Sequence, residues 1–520
     1  MKPASFTNLY SRPKFRNETL KWFDNFNEAL LNSSRMPALD YSSVLSMISF
    51  HHTCENSTLI KEIRQNRWLS ESLPDGSENI AEIPKHGLIF EKPKVVASKL
   101  FELLVKELAE RCSSQDKLYL LLSGGLDSRV VACALREGIN RGIITSGITA
   151  VTWGFTDSVD VTIAKKVAEE LNFDWINIGM DANTILKNIR IAACELGSMT
   201  TAYHLHSMPW FENVPKNSLV IAGSFGDGIG RAEYSGRHIL ELDYYNPLNR
   251  FNLIKEEYFY ALKSELAEQL KYLRLRYNWN YKYELCEAEM QCHYMRNLIG
   301  YSMNVINNYC SLYQAFTNRE IVSYIWSLHP SVRNNSVYAA ILQNCGNRLS
   351  ALPWARTKKA LKGRTISLDQ GLRKSFHAYR RWISSELYDE LYALIDFRFL
   401  SDLEIFDMGN VQKLCRYISD ENDNYHAYNL YLWLISFSVF KDHLKKNNIE
   451  LSFLPETLSV KHYDNSRRNQ SIIAQKKLSK SKSFLPENLK MSVKKLKKLS
   501  LMAFYVIKYP PRLLKNNRAT

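Results

Sequence analysis

Ser123-Gly124-Gly125-Leu126-Asp127-Ser128 gathers two hydroxyls, two adjacent glycines and a carboxylate into one short stretch. That set suits a bound phosphate. The glycines let backbone N–H groups come close to an anion that a Cβ would hold off. Ser123 and Ser128 add donors, and Asp127 offers a hard oxygen ligand to a divalent cation riding on the phosphates. No Gly-Lys-Ser/Thr follows, so this is not the lysine-containing phosphate loop of the Walker type.

The surroundings fit that chemistry. Leu118–Leu122 is an apolar run of strand length, and Arg129–Leu135 continues as an amphipathic helix. A strand, a tight turn and a helix in succession aim a helix N-terminus and several N–H groups at one point. A glycine turn without a ligand would not require this full set of residues between a buried strand and a helix. Farther along, a helix is expected at 95–111, strands at 118–122, 148–153 and 219–222, and helices at 127–137 and 160–171. Alternation of this kind implies an α/β fold with a parallel sheet, whose ligands bind beyond the carboxyl ends of the strands. From about residue 250 the pattern turns helical and Pro becomes sparse.

The motif resembles the pyrophosphate loop of the asparagine synthetase family, in which Ser-Gly-Gly-Leu-Asp-Ser marks the ATP site. Ala150–Gly154 and Asp160 with Val161–Leu171 are similar to the family's second strand–helix unit. Val220–Gly228 resembles its second ATP loop, Ala315–Glu320 and Ile325–Pro330 its Pro-Phe-Leu-Asp stretch and following helix, and Ser57–Ile63 the segment before the synthetase domain. The likeness spans roughly residues 36 to 365. It implies a parallel-sheet pyrophosphate-loop ATP domain (adenine nucleotide alpha-hydrolase-like) over 96–365. A helical subdomain would follow over 366–470 and a basic amphipathic tail over 471–520. Residues 1–95 would be the remnant of a glutaminase-like domain, too short for the whole and with Lys2 where the family exposes its cysteine nucleophile.

The resemblance also implies a chemistry. A substrate carboxylate attacks the α-phosphate of ATP, and ammonia or an amine then attacks the acyl-adenylate and releases AMP. Asp127 and Asp227 would carry Mg2+, one from each loop. Leu121, Ser123, Gly124, Gly125, Leu126, Ser128, Trp153, Ala222 and Gly223 would frame ATP, and Lys358 or Lys359 would reach its phosphates. The family's second loop carries a glutamate that takes the amine's proton. Alignment on Gly223 and Asp227 puts Ser224 there, and serine has no pKa for that work. Glu195, Glu233 and His204 are the substitutes, and Arg231 or Arg237 could either bind a substrate carboxylate or form ion pairs within the loop. His204 and His206 would share one face if on a strand. Without a nearby third ligand they read as hydrogen-bonded, partly buried histidines.

Bulk properties exclude several classes. Of the net charge of +15, residues 461–520 contribute +14, with sixteen Lys or Arg against Asp464 and Glu487. The remaining body is nearly neutral, so no broad nucleic-acid surface is expected. Nine scattered cysteines without a Cys-x-x-Cys pair argue against a disulfide framework, a structural zinc site and a nucleic-acid thiolase. No apolar run reaches membrane-spanning length, and Met1–Phe6 lacks a signal core, which reads as cytoplasmic. Leu496–Ile507, flanked by lysines, could meet an anionic membrane or a partner, although such runs are more often solvated. The expected function is an AMP-forming amide ligase. Its acyl substrate would be a small carboxylate, a peptide or a sugar acid, and its nitrogen would come from ammonia, an amine or a separate glutaminase. The alternative is a nucleotide-binding scaffold that has lost turnover.

Overall fold

The computed structural model describes residues 6–232, 245–361 and 363–452. Glu233, Arg237 and the basic tail lie outside the described residues. Five strands form the central sheet: β1 (Leu118–Leu121), β2 (Ile148–Trp153), β3 (Asp174–Ile178), β4 (Leu219–Ala222) and β5 (Ser311–Gln314). Their order is β5-β4-β1-β2-β3, every pairing parallel. The chain builds outward from β1 through β2 to β3, then returns to the other side of β1 for β4. The reversal leaves a crevice beyond the ends of β1 and β4, where ligands of such sheets bind.

The helices that matter for the site are α1 (Tyr41–Phe50), α2 (Pro93–Cys112), α3 (Asp127–Asn140), α4 (Val159–Glu170), α5 (Ala182–Cys194), α6 (Glu256–Arg276), α7 (Arg319–Ser327), α8 (Asn335–Cys345) and α9 (Tyr425–Lys446). Alternation along the strands divides their side chains between two cores. Leu118, Leu120, Ile148, Ala150, Leu219 and Ile221 join α2, α3 and α4 on one face. Leu121, Val151, Val220 and Ala222 face α5 and the C-terminal helices. This second core also takes in Phe15, Phe26, α1 and Ile63 from the start of the chain, together with Tyr379–Leu451 from its far half.

The expected strands and helices are present to within a few residues. In the sheet and on its faces, β3, α5 and β5 were not foreseen. β3 is an edge strand whose first four residues alternate between exposed and half-buried, without the continuous apolar run of an interior parallel strand. β5 is held by α2 through Glu107. This buried carboxylate accepts the Tyr313 hydroxyl at 2.5 Å and the backbone N–H groups of Phe316 and Asn318 at 3.3 and 3.0 Å. Burial raises its pKa to about 7. Phe316 is thereby fixed beneath the second loop. Among the described residues, no helix is long and apolar enough to cross a membrane.

Candidate functional site

Between β1 and α3 the first loop is wired to itself. Ser123 N–H donates to Ser128 Oγ at 3.1 Å, the two hydroxyls are 3.1 Å apart, and Gly125 N–H donates to Ser123 Oγ at 3.2 Å. Gly124 N–H is taken by Asp160 Oδ1 at 3.0 Å, and burial raises the pKa of that carboxyl. A Cβ on Gly124 would stand 2.9 Å from Ala355 Cβ and 3.0 Å from Asp160 Cα, so this position needs glycine. α3 begins at Asp127 with no side chain capping it. Its first-turn N–H groups therefore remain for an anion at the mouth of the loop.

Arg129, one step into α3 and only 1% exposed, ties the loop to a distant segment. It donates to Leu352 O at 3.0 Å, Pro353 O at 2.8 Å and Gly124 O at 3.4 Å. Burial lowers its pKa to about 10, which still leaves it charged at neutral pH. Ala355 N–H then donates to Gly124 O at 3.2 Å. Lys358 and Lys359 sit on the turn closed by the Trp354–Lys359 bridge. Both are exposed there and neither lines the cleft.

The second loop, after β4, packs on the first. A Cβ at Gly223 would lie 3.1 Å from Asp127 C, and one at Gly226 only 2.8 Å from Asp127 Cβ and from Phe316 Cε2. Tyr338 of α8 donates to Gly226 O at 3.0 Å. Asp227 accepts Gly228 N–H at 2.6 Å. Arg231 grips Asp127 with both arms, Nε to Oδ1 at 3.0 Å and Nη2 to Oδ2 at 2.9 Å. Of the two roles open to Arg231, the fold therefore shows the ion pair within the loops. The pairing joins residues 104 positions apart, and an arginine closing a glycine-rich loop was the one sequence signal of it.

The crevice between the loops holds about 420 Å³. Leu121, Ser123, Gly125, Asp127, Ser128, Trp153, Gly223 and Asp227 line it, as do Thr152 and Asp160. Of the other positions expected at ATP, Leu126 and Ala222 are buried behind the surface, and Gly124 is turned toward Asp160 and Ala355. The opposite wall comes from His204, His206, Met208, Ser224, Phe376, and a π-helical stretch (Met290–Gly300) that delivers Ile299 just ahead of Ser302 and Met303. His204 and His206 lie on a 3-10 turn and its exit, not on a strand, with His206 at a positive φ of 46°. Each is hydrogen-bonded, His206 Nδ1 to Tyr379 at 3.0 Å and His204 Nε2 to Tyr425 at 3.2 Å. Burial lowers their pKa values to about 3 and about 4, so both rings are neutral at pH 7. Ser224 Oγ donates to Met303 Sδ at 3.2 Å. Glu195 is remote from the cleft. α5 runs back against the strands, and its last turn meets Asn308 (2.9 Å), just ahead of β5.

The described residues contain no group of three or more His, Cys, Asp or Glu placed to hold a metal. The donor set instead suits a cation shared between one or two carboxylates and phosphate oxygens, the habit of Mg2+.

Among solved structures, the chain is similar to an NMN synthetase from Francisella tularensis (18% identity, 27% of this chain and 58% of that one, TM-score 0.18). It thus spans little more than half the length of that protein. Others are an NH3-dependent NAD synthetase from Campylobacter jejuni (15% identity, 40% and 96%, TM-score 0.22) and the U34-tRNA thiolase NcsA from Methanococcus maripaludis (15%, 45% and 80%, TM-score 0.20). No curated protein matches. The family model described as asparagine synthase matches residues 99–302, a span that contains β1 to β4, both loops, Asp127 and Asp227.

Proposed function

We propose that this chain is an ATP-dependent ligase that forms an amide through an acyl-adenylate. The observation that carries this reading is the meeting of the uncapped α3 N-terminus and the second loop in the crevice between β1 and β4, inside the span that matches the asparagine synthase family. ATP would lie with its pyrophosphate on Ser123–Ser128 and its adenosine toward Leu121, Trp153 and Gly223. A substrate carboxylate attacks the α-phosphorus and pyrophosphate leaves, its growing charge met by the α3 N–H groups; Mg2+, which the loop carboxylates would hold, would neutralise the phosphates further. Ammonia or an amine then attacks the acyl carbon and AMP departs.

The proton released by the nitrogen needs an acceptor. Ser224 is bonded to a thioether and cannot serve. Of the described substitutes only His204 lines the cleft, and burial that lowers its pKa to about 4 leaves it too weak a base for the role. The acyl substrate is a small carboxylate, a peptide or a sugar acid, and the nitrogen comes from ammonia, an amine or a separate glutaminase.

The test is release of AMP and pyrophosphate from ATP and Mg2+ over a panel of carboxylates with ammonium, with Asp127→Ala as control. Carboxylate-dependent AMP that disappears in the variant is expected. ATP binding without AMP from any acid would favour a nucleotide-binding scaffold, and no ATP binding would overturn the reading.

A further inference from the structure

Phe316 carries the exit of β5 against the second loop. It is fully buried and follows directly on the last rung of the sheet, where Ala315 N–H donates to Ala222 O at 2.8 Å. Its ring gives the loop its shape. A Cβ at Gly226 would stand 2.8 Å from Phe316 Cε2, and one at Gly230 3.0 Å from Cε1. The ring also stacks on Tyr338 at 6.2 Å, and the Tyr338 hydroxyl holds Gly226 O at 3.0 Å. Phe316 does this at a φ of 71°, in the left-handed region that a bulky side chain occupies only at a cost.

Glu107 supplies the hold, and its two buried oxygens are used unequally. Oε1 accepts the Tyr313 hydroxyl at 2.5 Å and Asn318 N–H at 3.0 Å, which occupies both its lone pairs. Oε2 accepts Phe316 N–H at 3.3 Å. A proton arriving on the carboxylate therefore goes to Oε2, and a protonated oxygen is the poorer acceptor for that N–H. Burial brings the Glu107 pKa up to about 7, against the pull of its three donors and of Arg111, one turn along α2. From β5 the titratable group facing it is Tyr313, whose own pKa burial and this carboxylate raise. Lys106–Glu320 towards α7 and Glu102–Arg141 towards the end of α3 are paired at the exposed edge of α2. α8, which also packs on α2, carries only Tyr338 and Cys345 as titratable side chains.

We propose that Glu107 is a positioning residue whose ionised carboxylate holds Phe316 in its turn, so that the second loop keeps its ATP-binding shape above neutral pH and loosens when the carboxylate takes up a proton. This rests on the ATP reading above. Glu107 makes no bond to the nucleotide. Its effect passes through the backbone and ring of Phe316 to Gly226, and from there to Asp127, against which Gly226 is packed.

The test is a pH profile of nucleotide affinity. The full chain is titrated in a calorimeter with a non-hydrolysable ATP analogue and Mg2+, from about pH 8.5 down to about pH 6. Each affinity is divided by that of Glu107→Gln at the same pH, so that protonation of the analogue cancels. At the alkaline end the parent should bind about tenfold more tightly than Glu107→Gln, whose amide leaves either the Phe316 or the Asn318 N–H facing a donor. That advantage should vanish as pH falls through about 7. Tyr313→Phe takes a donor from Oε1 and leaves the Phe316 bond in place. It should match the parent at the alkaline end and lose affinity at a higher pH than the parent does. A merely structural role would move neither the ratio with pH nor that midpoint. Equal affinity of parent and Glu107→Gln at the alkaline end, a ratio flat with pH, or an unmoved Tyr313→Phe midpoint would overturn the proposal while leaving the ATP reading in place. Should Glu107→Gln not fold, the Tyr313→Phe midpoint against the parent decides alone. Failure of the parent to bind the analogue at any pH would overturn both.

Discussion

The two loops at the sheet's crevice reach their shapes by opposite means. Ser123–Ser128 is held from within, its hydroxyls satisfying its own N–H groups, with Asp160 and Arg129 closing the remainder. Gly223–Asp227 is shaped from outside, by Asp127, Phe316 and Tyr338 pressing where side chains would otherwise be. A loop wired to itself carries its geometry in its own letters. A loop moulded by neighbours retains only the glycines that leave room for them. This is why the first matches the asparagine synthetase pattern residue for residue, and the second only at Gly223 and Asp227.

That contrast can be broken at graded depth. Arg129→Met should cost most, about 3 kcal/mol in urea unfolding, because the carbonyls of Leu352 and Pro353 lose a buried charged donor. Gly226→Ala should follow at about 2 kcal/mol from overpacking against Asp127 and Phe316, with nucleotide affinity falling alongside. The opposite wall adds a pH dependence. His204 and His206 are neutral in the fold down to about pH 4 and 3, while the unfolded chain takes up their protons near 6.5. Stability should therefore decline as pH falls from 6.5 towards 4, and His206→Gln should make that decline shallower when unfolding is followed across this range.

Within the first loop, Ser128→Ala should cost about 1 kcal/mol and weaken ATP binding about tenfold, since the Ser123 N–H loses its acceptor. Smallest of all, Lys358→Ala and Lys359→Ala should leave stability within about 0.5 kcal/mol, as both side chains are exposed. A fall in AMP release for either, at unchanged stability, would sharpen the contrast by giving the cleft a contributor from the turn that backs the first loop.

How much of this the letters reveal follows from range. β1, its loop and α3 are contiguous, so their apolar run, glycines and helix face are all read in one window. β5 spans only Ser311–Gln314 and is made a strand by its pairing with β4, 92 positions earlier. α5 shows an apolar face once it is known to cover the sheet, yet its boundaries rest on a capping box of Asp181 and Thr184 that is easily overlooked. The site divides in the same way. Ser123 to Ser128 were legible, whereas the Arg231 fork, the Met303 thioether at Ser224 and the π-helical delivery of Ile299 depend on partners far off in sequence. His204 and His206 were noticed for their spacing, but a spacing does not distinguish a strand from a 3-10 turn.

The core shared by Phe15–Ile63 and Tyr379–Leu451 has a consequence for how the molecule comes into being. On a ribosome adding about 5 to 20 residues per second, the early segment waits roughly 15 to 60 s before the last of its partners begin to be made. During that interval Phe15 and Phe26 can pack on each other and α1 on α6, but the core around them stays open on the side that Tyr379–Leu451 will fill. Until then the nascent chain is a client for whatever shields apolar surface in the cell. Translation speed between residues 63 and 379 therefore becomes a determinant of yield that no property of the finished fold discloses.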